Sequence, residues 1–250
     1  MKLNKLIAIA TISLLSVGKS IAQKALNLED IVAGNIIQTK GIGSMTWLKD
    51  GERYSRLENN KQTGGTDIVA YRAKDNSREV IIPSSLLTDK STGRPIPVRS
   101  VSWSADNEKV LIYNNTRRVW RYDTRGDYWV LNLKDGALRQ LGKGMPESSM
   151  MFAKFSPDGT RVAYVSNNNI YVEDIDSGKI TQLTKDGSDT IVNGTFDWVY
   201  EEEFSCRDGF RWSPDGKHIA YWQSDTKGTG VFDIINNVDS IYAKVIHFPY

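Results

Sequence analysis

Three consecutive glutamates, Glu201 to Glu203, are the residues of this sequence that most suggest a binding chemistry. They lie in the run Asp197-Trp-Val-Tyr-Glu-Glu-Glu-Phe204, so aromatic side chains flank them on both sides. Adjacent carboxylates repel one another, and apolar neighbours make their desolvation more costly. Such a cluster is stable on open surface, as a solvated acidic loop, or around a cation. An ammonium group, such as a protonated peptide N-terminus, can donate hydrogen bonds to two adjacent carboxylates. A calcium loop is not favoured, because alternating oxygen ligands are missing.

A second group with binding chemistry is the arginine-rich run Arg117-Arg-Val-Trp-Arg-Tyr-Asp123. An arginine beside aromatic residues can donate hydrogen bonds to a substrate carbonyl, or it can pair with a glutamate cluster. An exposed arginine on a strand or loop is the alternative that the residues alone leave open.

Neither the histidines nor the cysteine predict a catalytic or metal centre. His218 and His247 both lie on segments that we predict as strands, and Cys206 is the only cysteine. One cysteine can form neither an internal disulfide nor a cysteine-based zinc site. The sequence also has no Gly-x-Ser-x-Gly motif, the turn that carries the serine nucleophile of α/β-hydrolases. From the residues alone, the two histidines could still serve one catalytic triad or half a metal site, but no more.

The N-terminal residues have the pattern of an export signal. Lys2 and Lys5 precede the apolar run Leu6–Val17, which is too short to span a bilayer comfortably. We predict a signal peptide over residues 1–22, a leader segment over 23–45, and a periplasmic or extracellular location in a bacterial envelope. A retained membrane anchor is the alternative. After cleavage no membrane association is expected.

The composition is that of a soluble globular domain without affinity for polyanions. The 250 residues are 40% hydrophobic and 25% charged, which excludes a disordered or collagen-like chain. Removal of residues 1–22 takes away three lysines and no acid, and leaves 29 basic and 30 acidic residues. This balanced charge argues against a nucleic-acid partner.

A repeated motif determines the predicted fold. An aromatic-Ser-x-Asp turn recurs at intervals of 52–57 residues, and each copy precedes a β-rich stretch. Its copies are Trp103-Ser-Ala-Asp-Asn107, Phe155-Ser-Pro-Asp-Gly159, Trp212-Ser-Pro-Asp-Gly216 and, more weakly, Trp47-Leu-Lys-Asp-Gly51.

The third copy predicts four short antiparallel strands, over residues 151–155, 161–166, 170–174 and 180–183. Four such strands per repeat are typical of a β-propeller blade. We therefore predict an all-β partial propeller over residues 46–250, and a β-sandwich with accidental turn similarity is the alternative. About four blades fit this length, and the last is cut short. An unclosed ring leaves strand edges unpaired, so we expect the chain to be the front part of a longer protein.

At these residues the sequence resembles the N-terminal propeller of dipeptidyl peptidase IV, a family of serine exopeptidases of the prolyl oligopeptidase class. The most specific part is the run from Asp197 to Glu203, whereas the Trp-Ser-Pro-Asp-Gly turn also occurs in periplasmic propellers that resemble TolB. The resemblance continues through Trp212 to Tyr221, back to Trp120-Arg121, and over Asn168 to Val172.

The resemblance implies a set of substrate-binding residues. In that family a short helix inserted into a blade of an eight-bladed propeller carries a glutamate pair that binds the substrate's free α-amino group. The matching positions are Glu202 and Glu203. The family arginine that contacts the substrate carbonyl and the glutamates matches Arg121. Peptides and proteins with a free N-terminus are the implied partners, and the family's dimers make a homodimer of the complete protein an open alternative to a monomer.

From this resemblance we expect an exported recognition propeller of a serine peptidase that removes N-terminal Xaa-Pro or Xaa-Ala dipeptides. The family's catalytic α/β-hydrolase domain is absent from these 250 residues, so we expect no catalytic nucleophile in them and expect the chain alone to be inactive. The resemblance implies no metal or organic cofactor. The alternative function is that of a non-catalytic, TolB-like periplasmic propeller that binds protein partners.

Overall fold

The computed structural model describes residues 27–32, 41, 43–119 and 121–249. The predicted signal peptide, most of the predicted leader and Trp120 lie outside the described residues. The chain divides into two compact units, residues 1–42 and residues 43–250. The described part of the first unit contains one short helix, α1 (Leu28–Val32). No helix in the described ranges is long and apolar enough to cross a membrane.

The second unit consists mainly of antiparallel strands, and its first three motif copies each form a four-stranded sheet. The first sheet contains β1 (Thr46–Trp47), β2 (Arg53–Asn59), β3 (Thr66–Arg72) and β4 (Arg78–Ile82). A 3-10 helix (Ser84–Leu87) and the short pair β5 (Thr88–Asp89) and β6 (Arg94–Pro95) follow it. The second sheet contains β7 (Ser100–Trp103), β8 (Lys109–Val119), β9 (Tyr122–Asn132) and β10 (Leu138–Gln140). The third contains β11 (Met151–Phe155), β12 (Arg161–Ser166), β13 (Asn169–Asp174) and β14 (Ile180–Gln182).

The fourth motif copy differs from the other three, because its strands form separate pairs. The remaining elements are β15 (Ile191–Asn193), helix α2 (Trp198–Phe204), β16 (Phe210–Trp212), β17 (Ile219–Tyr221), β18 (Gln223–Asp225), β19 (Val231–Asn236) and β20 (Lys244–Pro249). β16 pairs with β17, whereas β18 turns to pair with β15. The switch occurs at Trp222, whose N–H donates to Gly209 O and whose carbonyl accepts from Gly194 N–H.

The predicted all-β architecture of four-stranded antiparallel blades with one short inserted helix is confirmed. In the third sheet, two of the four predicted strands have the predicted bounds and the other two differ by one residue at one end. His247 lies on β20 as predicted, but His218 lies one residue before β17. His218 is still part of the motif turn, because its backbone N–H donates to the hydroxyl of Ser213 at 2.9 Å.

The side chains of the motif explain why it recurs. In the second sheet, the Ser104 hydroxyl donates to Asp106 at 2.5 Å and accepts from the N–H of Lys109 at 2.9 Å. The same two bonds occur in the third and fourth copies. The residue after the aspartate has a positive φ in each copy, which explains why it is Asn107, Gly159 or Gly216.

Three apolar clusters lie between successive sheets and join them into one stack. The first cluster joins the first and second sheets, and it is centred on Ile68, Ile82, Val110 and Leu131. The second joins the second and third sheets around Leu111, Val130, Val162 and Tyr164. The third joins the third sheet to the fourth motif around Ala163, Val165, Ile170 and Phe210. Each blade therefore buries its faces against its neighbours, as propeller blades do.

Candidate functional site

The predicted glutamate cluster lies on α2, the helix inserted between β15 and β16. Asp197 caps the helix, because its extended backbone lets its carboxylate accept a hydrogen bond from the N–H of Tyr200 at 3.0 Å. Ser205 ends the helix in the left-handed region, and the N–H of Cys206 donates back to Tyr200 O at 3.0 Å. The run from Asp197 to Phe204 thus contains both the helix and the residue that caps its start.

Aromatic side chains hold α2 against the fourth motif. The ring centroid of Tyr200 lies 5.5 Å from that of Phe196, 5.5 Å from that of Phe204 and 6.1 Å from that of Trp222. Such centroid separations are favourable for aromatic pairs. This packing explains why aromatic residues flank the acids in the sequence. They form the apolar side of the helix that packs against the blade.

The two ends of the inserted segment are fastened to each other and to the third sheet. Thr195 and Asp208 form an isolated antiparallel bridge, and Lys154 of β11 donates to the Asp208 carboxylate at 2.5 Å. Gly209 leaves room for this close approach, because a Cβ there would lie 2.9 Å from the backbone nitrogen of Thr195. Burial lowers the pKa of Lys154 to about 8, although Asp208 favours its charged form.

The long β8–β9 hairpin carries Arg121 to the glutamate cluster. The two strands have eleven residues each, and two irregularities in their register re-aim the outer part of the hairpin. Arg121 lies in the turn at the tip, and its Nε is 2.7 Å from Oε2 of Glu202. The structure therefore brings together two residues that were selected from distant parts of the sequence.

Arg121 and Glu202 differ strongly in their exposure. The side chain of Glu202 is 6% exposed, whereas that of Arg121 is 76% exposed. The second carboxylate oxygen of Glu202, Oε1, is buried and has no hydrogen-bond partner among the described residues. A buried carboxylate oxygen without a partner is costly, so this atom is an acceptor available to a ligand.

The other two glutamates have different environments. Glu203 follows on the last turn of α2 and is exposed. Glu201 is buried, with Oε1 3.5 Å from Nε of Arg207. Burial raises the pKa of Glu201, the Arg207 charge opposes this, and the Glu202 charge adds to it. Glu201 Oε1 also has no hydrogen-bond partner among the described residues, but it faces the positive charge of Arg207. Because Arg207 offsets the charge of Glu201, the carboxylate charges left for a ligand are those of Glu202 and Glu203.

The sequence analysis missed the partners of Glu201. Arg207 lies between Glu201 and the ring of Tyr122, whose centroid is 3.4 Å from the guanidinium carbon. Tyr122 follows Arg121 directly in the arginine-rich run, so the run did contain a signal for it. No pattern in the sequence predicts that this ring stacks on an arginine from beyond α2, because that contact depends on how the blades are arranged.

The formal charges of the site suit a cation. Within the described ranges, no group of three or more His, Cys, Asp or Glu side chains could hold a metal ion. Arg121, Glu202 and Glu203 together carry one net negative charge. An ion with one positive charge and several hydrogen-bond donors matches both that charge and the unpartnered oxygen of Glu202.

Stacked four-stranded antiparallel blades with one short inserted acidic helix define the chain as part of a β-propeller. The family described as the dipeptidyl peptidase IV (DPP IV) N-terminal region matches residues 104–250. The chain belongs to this family.

Curated relatives agree with this assignment, and a solved structure has the same fold. The chain is 36% identical over 135 residues to a protein described as "Probable dipeptidyl-aminopeptidase B" from Chaetomium globosum, covering 54% of this chain and 15% of that protein. It is 29% identical over 221 residues to a protein of the same description from Talaromyces stipitatus, covering 84% and 24%. The crystal structure of Porphyromonas gingivalis dipeptidyl peptidase 4 superposes with a TM-score of 0.75 at 24% identity, covering 91% of this chain and 31% of that one.

The structural similarity confirms the fold as part of a β-propeller. The chain spans between 15% and 24% of the length of these curated relatives. The activity of a whole protein therefore does not follow from these matches.

Proposed function

We propose that this chain recognises the free amino terminus of peptides, as the N-terminal propeller of an exported serine peptidase that removes N-terminal dipeptides. The observation that carries the proposal is the buried Oε1 of Glu202. This oxygen lacks a hydrogen-bond partner among the described residues, while Oε2 of the same carboxylate is paired with Arg121. A peptide ammonium would supply the missing hydrogen bond.

The charges of the site favour this ligand. Glu201 faces Arg207 at 3.5 Å, which leaves Glu202, Glu203 and Arg121 with one net negative charge. An ammonium neutralises that charge and offers three donors, enough for both remaining carboxylates. An acetylated N-terminus has no charge and a single N–H donor, so it should bind far more weakly.

Arg121 can fix a second point of the bound peptide, beyond its amino group. Its Nε is paired with Glu202, and its guanidinium has further N–H donors. A peptide carbonyl near the bound amine can accept from these donors, so that amine and carbonyl are held together. Fixing both groups defines how far the peptide extends past the site. A peptidase domain joined to such a propeller would therefore cut after two residues. The preference for Pro or Ala at the second residue is implied by the family resemblance alone.

Export is part of the proposal. The pattern of residues 1–22 supports a cleaved signal peptide, and the balanced charge of the remaining residues suits a periplasmic or extracellular protein. Mass spectrometry of the protein from an envelope fraction should give a mature N-terminus at Gln23. A chain that retains Met1 and sediments with membranes would contradict this part.

The amine proposal is tested with the full-length protein expressed from its gene. Hydrolysis of a Gly-Pro chromogenic amide is compared with that of the same amide carrying an N-terminal acetyl group. We expect cleavage of the free amine only. Glu202→Gln and Glu203→Gln should each lower kcat/KM. The loss should correspond to about 2–4 kcal/mol of transition-state stabilisation, because each variant lacks a charged anchor.

The matched control is Glu79→Gln, which removes an exposed glutamate that pairs with Arg53 on the first sheet. It should leave kcat/KM within about twofold of the parent. Equal cleavage of the acetylated amide, or full activity of both site variants, would contradict the proposal. A protein without hydrolysis whose partner binding ignores the amine would instead favour the non-catalytic protein-binding propeller.

A further inference from the structure

A second contact fastens the hairpin tip to α2, beside the Arg121–Glu202 pair. The guanidinium carbon of Arg207 lies 3.4 Å from the ring centroid of Tyr122, which is a close cation–π contact. Nε of the same guanidinium is 3.5 Å from Oε1 of Glu201. The Arg207 side chain is 23% exposed and that of Glu201 10%. Arg207 therefore lies between one residue of the tip and one residue of the helix.

The Arg121–Glu202 pair alone is a poor means of holding the tip. The long Arg121 side chain is mostly exposed, and an ion pair with one exposed partner contributes little because water and side-chain entropy oppose it. The contact of the neighbouring Tyr122 ring with the largely buried Arg207 does not depend on Arg121. It fixes the backbone of the tip, so that Arg121 has less freedom to lose when it pairs with Glu202.

The same arginine determines which acids are left for a ligand. Arg207 faces Glu201 and lowers the pKa of a carboxyl that burial raises. Without Arg207, Arg121 would be the one counter-charge within ion-pair distance of the three adjacent glutamates among the described residues. Glu201 would then compete for Arg121 or take up a proton, and either change would disturb Glu202.

We propose that Arg207 is a positioning residue of the amine site, joining Tyr122 at the hairpin tip to Glu201 on α2 and thereby holding Arg121 and Glu202 in register. This inference rests on the proposed function. Arg207 touches neither of the two ligand-binding glutamates, so its effect is on the geometry and on the charge that they present.

The test measures KM and kcat for the Gly-Pro amide with variants of the full-length protein. Arg207→Gln should raise KM about tenfold with kcat near that of the parent, because amine binding is weakened while the hydrolytic step is untouched. Arg207→Lys keeps the charge and should recover most of the loss. Tyr122→Leu should raise KM, and Tyr122→Phe, which keeps the ring, should retain most of the affinity that the leucine variant loses.

Arg56→Gln is the matched control, since Arg56 lies 5.7 Å from the ring of Tyr71 on the first sheet. It should not change KM. If Glu202→Gln raises KM but Arg207→Gln does not, the positioning role is wrong and the proposed function stands. If neither glutamate variant changes KM, the proposed function itself fails. Should Arg207→Gln not fold, equal KM values for Tyr122→Leu and Tyr122→Phe would overturn the inference.

Discussion

Arg139 of the second sheet reaches across to Glu173 of the third, with 3.0 Å between Nη1 and Oε1. Glu173 is only 1% exposed, and its other oxygen accepts hydrogen bonds from the N–H of Gly142 at 2.8 Å and from the hydroxyl of Tyr164 at 3.3 Å. Burial and the Glu173 charge together raise the pKa of Tyr164, so that hydroxyl remains a donor. One carboxylate thus binds three donors, two of them from the second blade.

We predict that Glu173→Ala lowers the free energy of unfolding by about 3–5 kcal/mol, because it leaves buried donors without an acceptor. Urea denaturation of the variant and the parent measures this difference. The control is Glu79→Ala, whose exposed pair with Arg53 should contribute less than about 1 kcal/mol. Equal decreases in the free energy of unfolding for the two variants would show that the inter-blade ion pair stabilises the protein no more than an exposed pair does.

The strands could be predicted from the sequence because each blade is a local structure. The Ser156–Gly159 turn fixes where β11 ends and β12 begins, and Asn167 and Asn168 adopt the positive φ that the next turn needs. The apolar residues between these turns, Val162 to Val165, then give the strand bounds. The fourth motif was predicted less well, because the pairing of β18 with β15 depends on the chain path around the inserted helix rather than on local pattern.

The site could be predicted only in part, for a related reason. The resemblance selected Arg121, Glu202 and Glu203, but the residues alone left an acidic loop and an exposed arginine as alternatives. The contacts of Tyr122 and Glu201 with Arg207 join segments that are distant in sequence. They depend on the length and the register shifts of the β8–β9 hairpin, and no local pattern encodes where its tip will lie.

The motif aromatics give a second prediction, because two of them are tryptophans that donate hydrogen bonds to the preceding sheet. Trp212 Nε1 donates to Lys154 O at 3.3 Å, and Trp103 Nε1 donates to the Ser55 hydroxyl at 3.1 Å. Trp212→Phe keeps an aromatic ring but loses the donor, so we expect about 1 kcal/mol of destabilisation in urea denaturation. Trp47→Phe, at an exposed position, should cost less than about half of that. A Trp212→Phe variant as stable as the parent would mean that the indole contributes through its ring alone.

The cap of α2 gives a third prediction, which connects stability to the amine site. A seven-residue helix has little stability of its own, so the bond from Tyr200 N–H to Asp197 should matter for how firmly Glu202 is held. Asp197→Ala should cost about 1 kcal/mol of stability and raise KM for the Gly-Pro amide in the full-length protein. Asp197→Asn keeps a capping oxygen and should recover most of both effects.

The control for the cap is Asp176→Ala, a change at an exposed turn of the third sheet. It should leave both unfolding and KM close to the parent. An Asp197→Ala variant that loses stability but keeps the parent KM would show that the carboxylates of α2 do not depend on the cap.

The buried ammonium of Lys154 makes stability depend on pH. Burial lowers its pKa in the folded chain from the ordinary value of 10.5 to about 8, with Asp208 opposing the shift and Arg211 adding to it. Between these two values the unfolded chain binds more protons than the folded one, so the free energy of unfolding rises with pH. Urea denaturation at about pH 7.5 and about pH 9.5 should therefore show that the free energy of unfolding rises more with pH for the parent than for Lys154→Met. Lys179→Met, at an exposed lysine, should keep the gain of the parent. Equal gains for the parent and Lys154→Met would contradict a depressed pKa at Lys154.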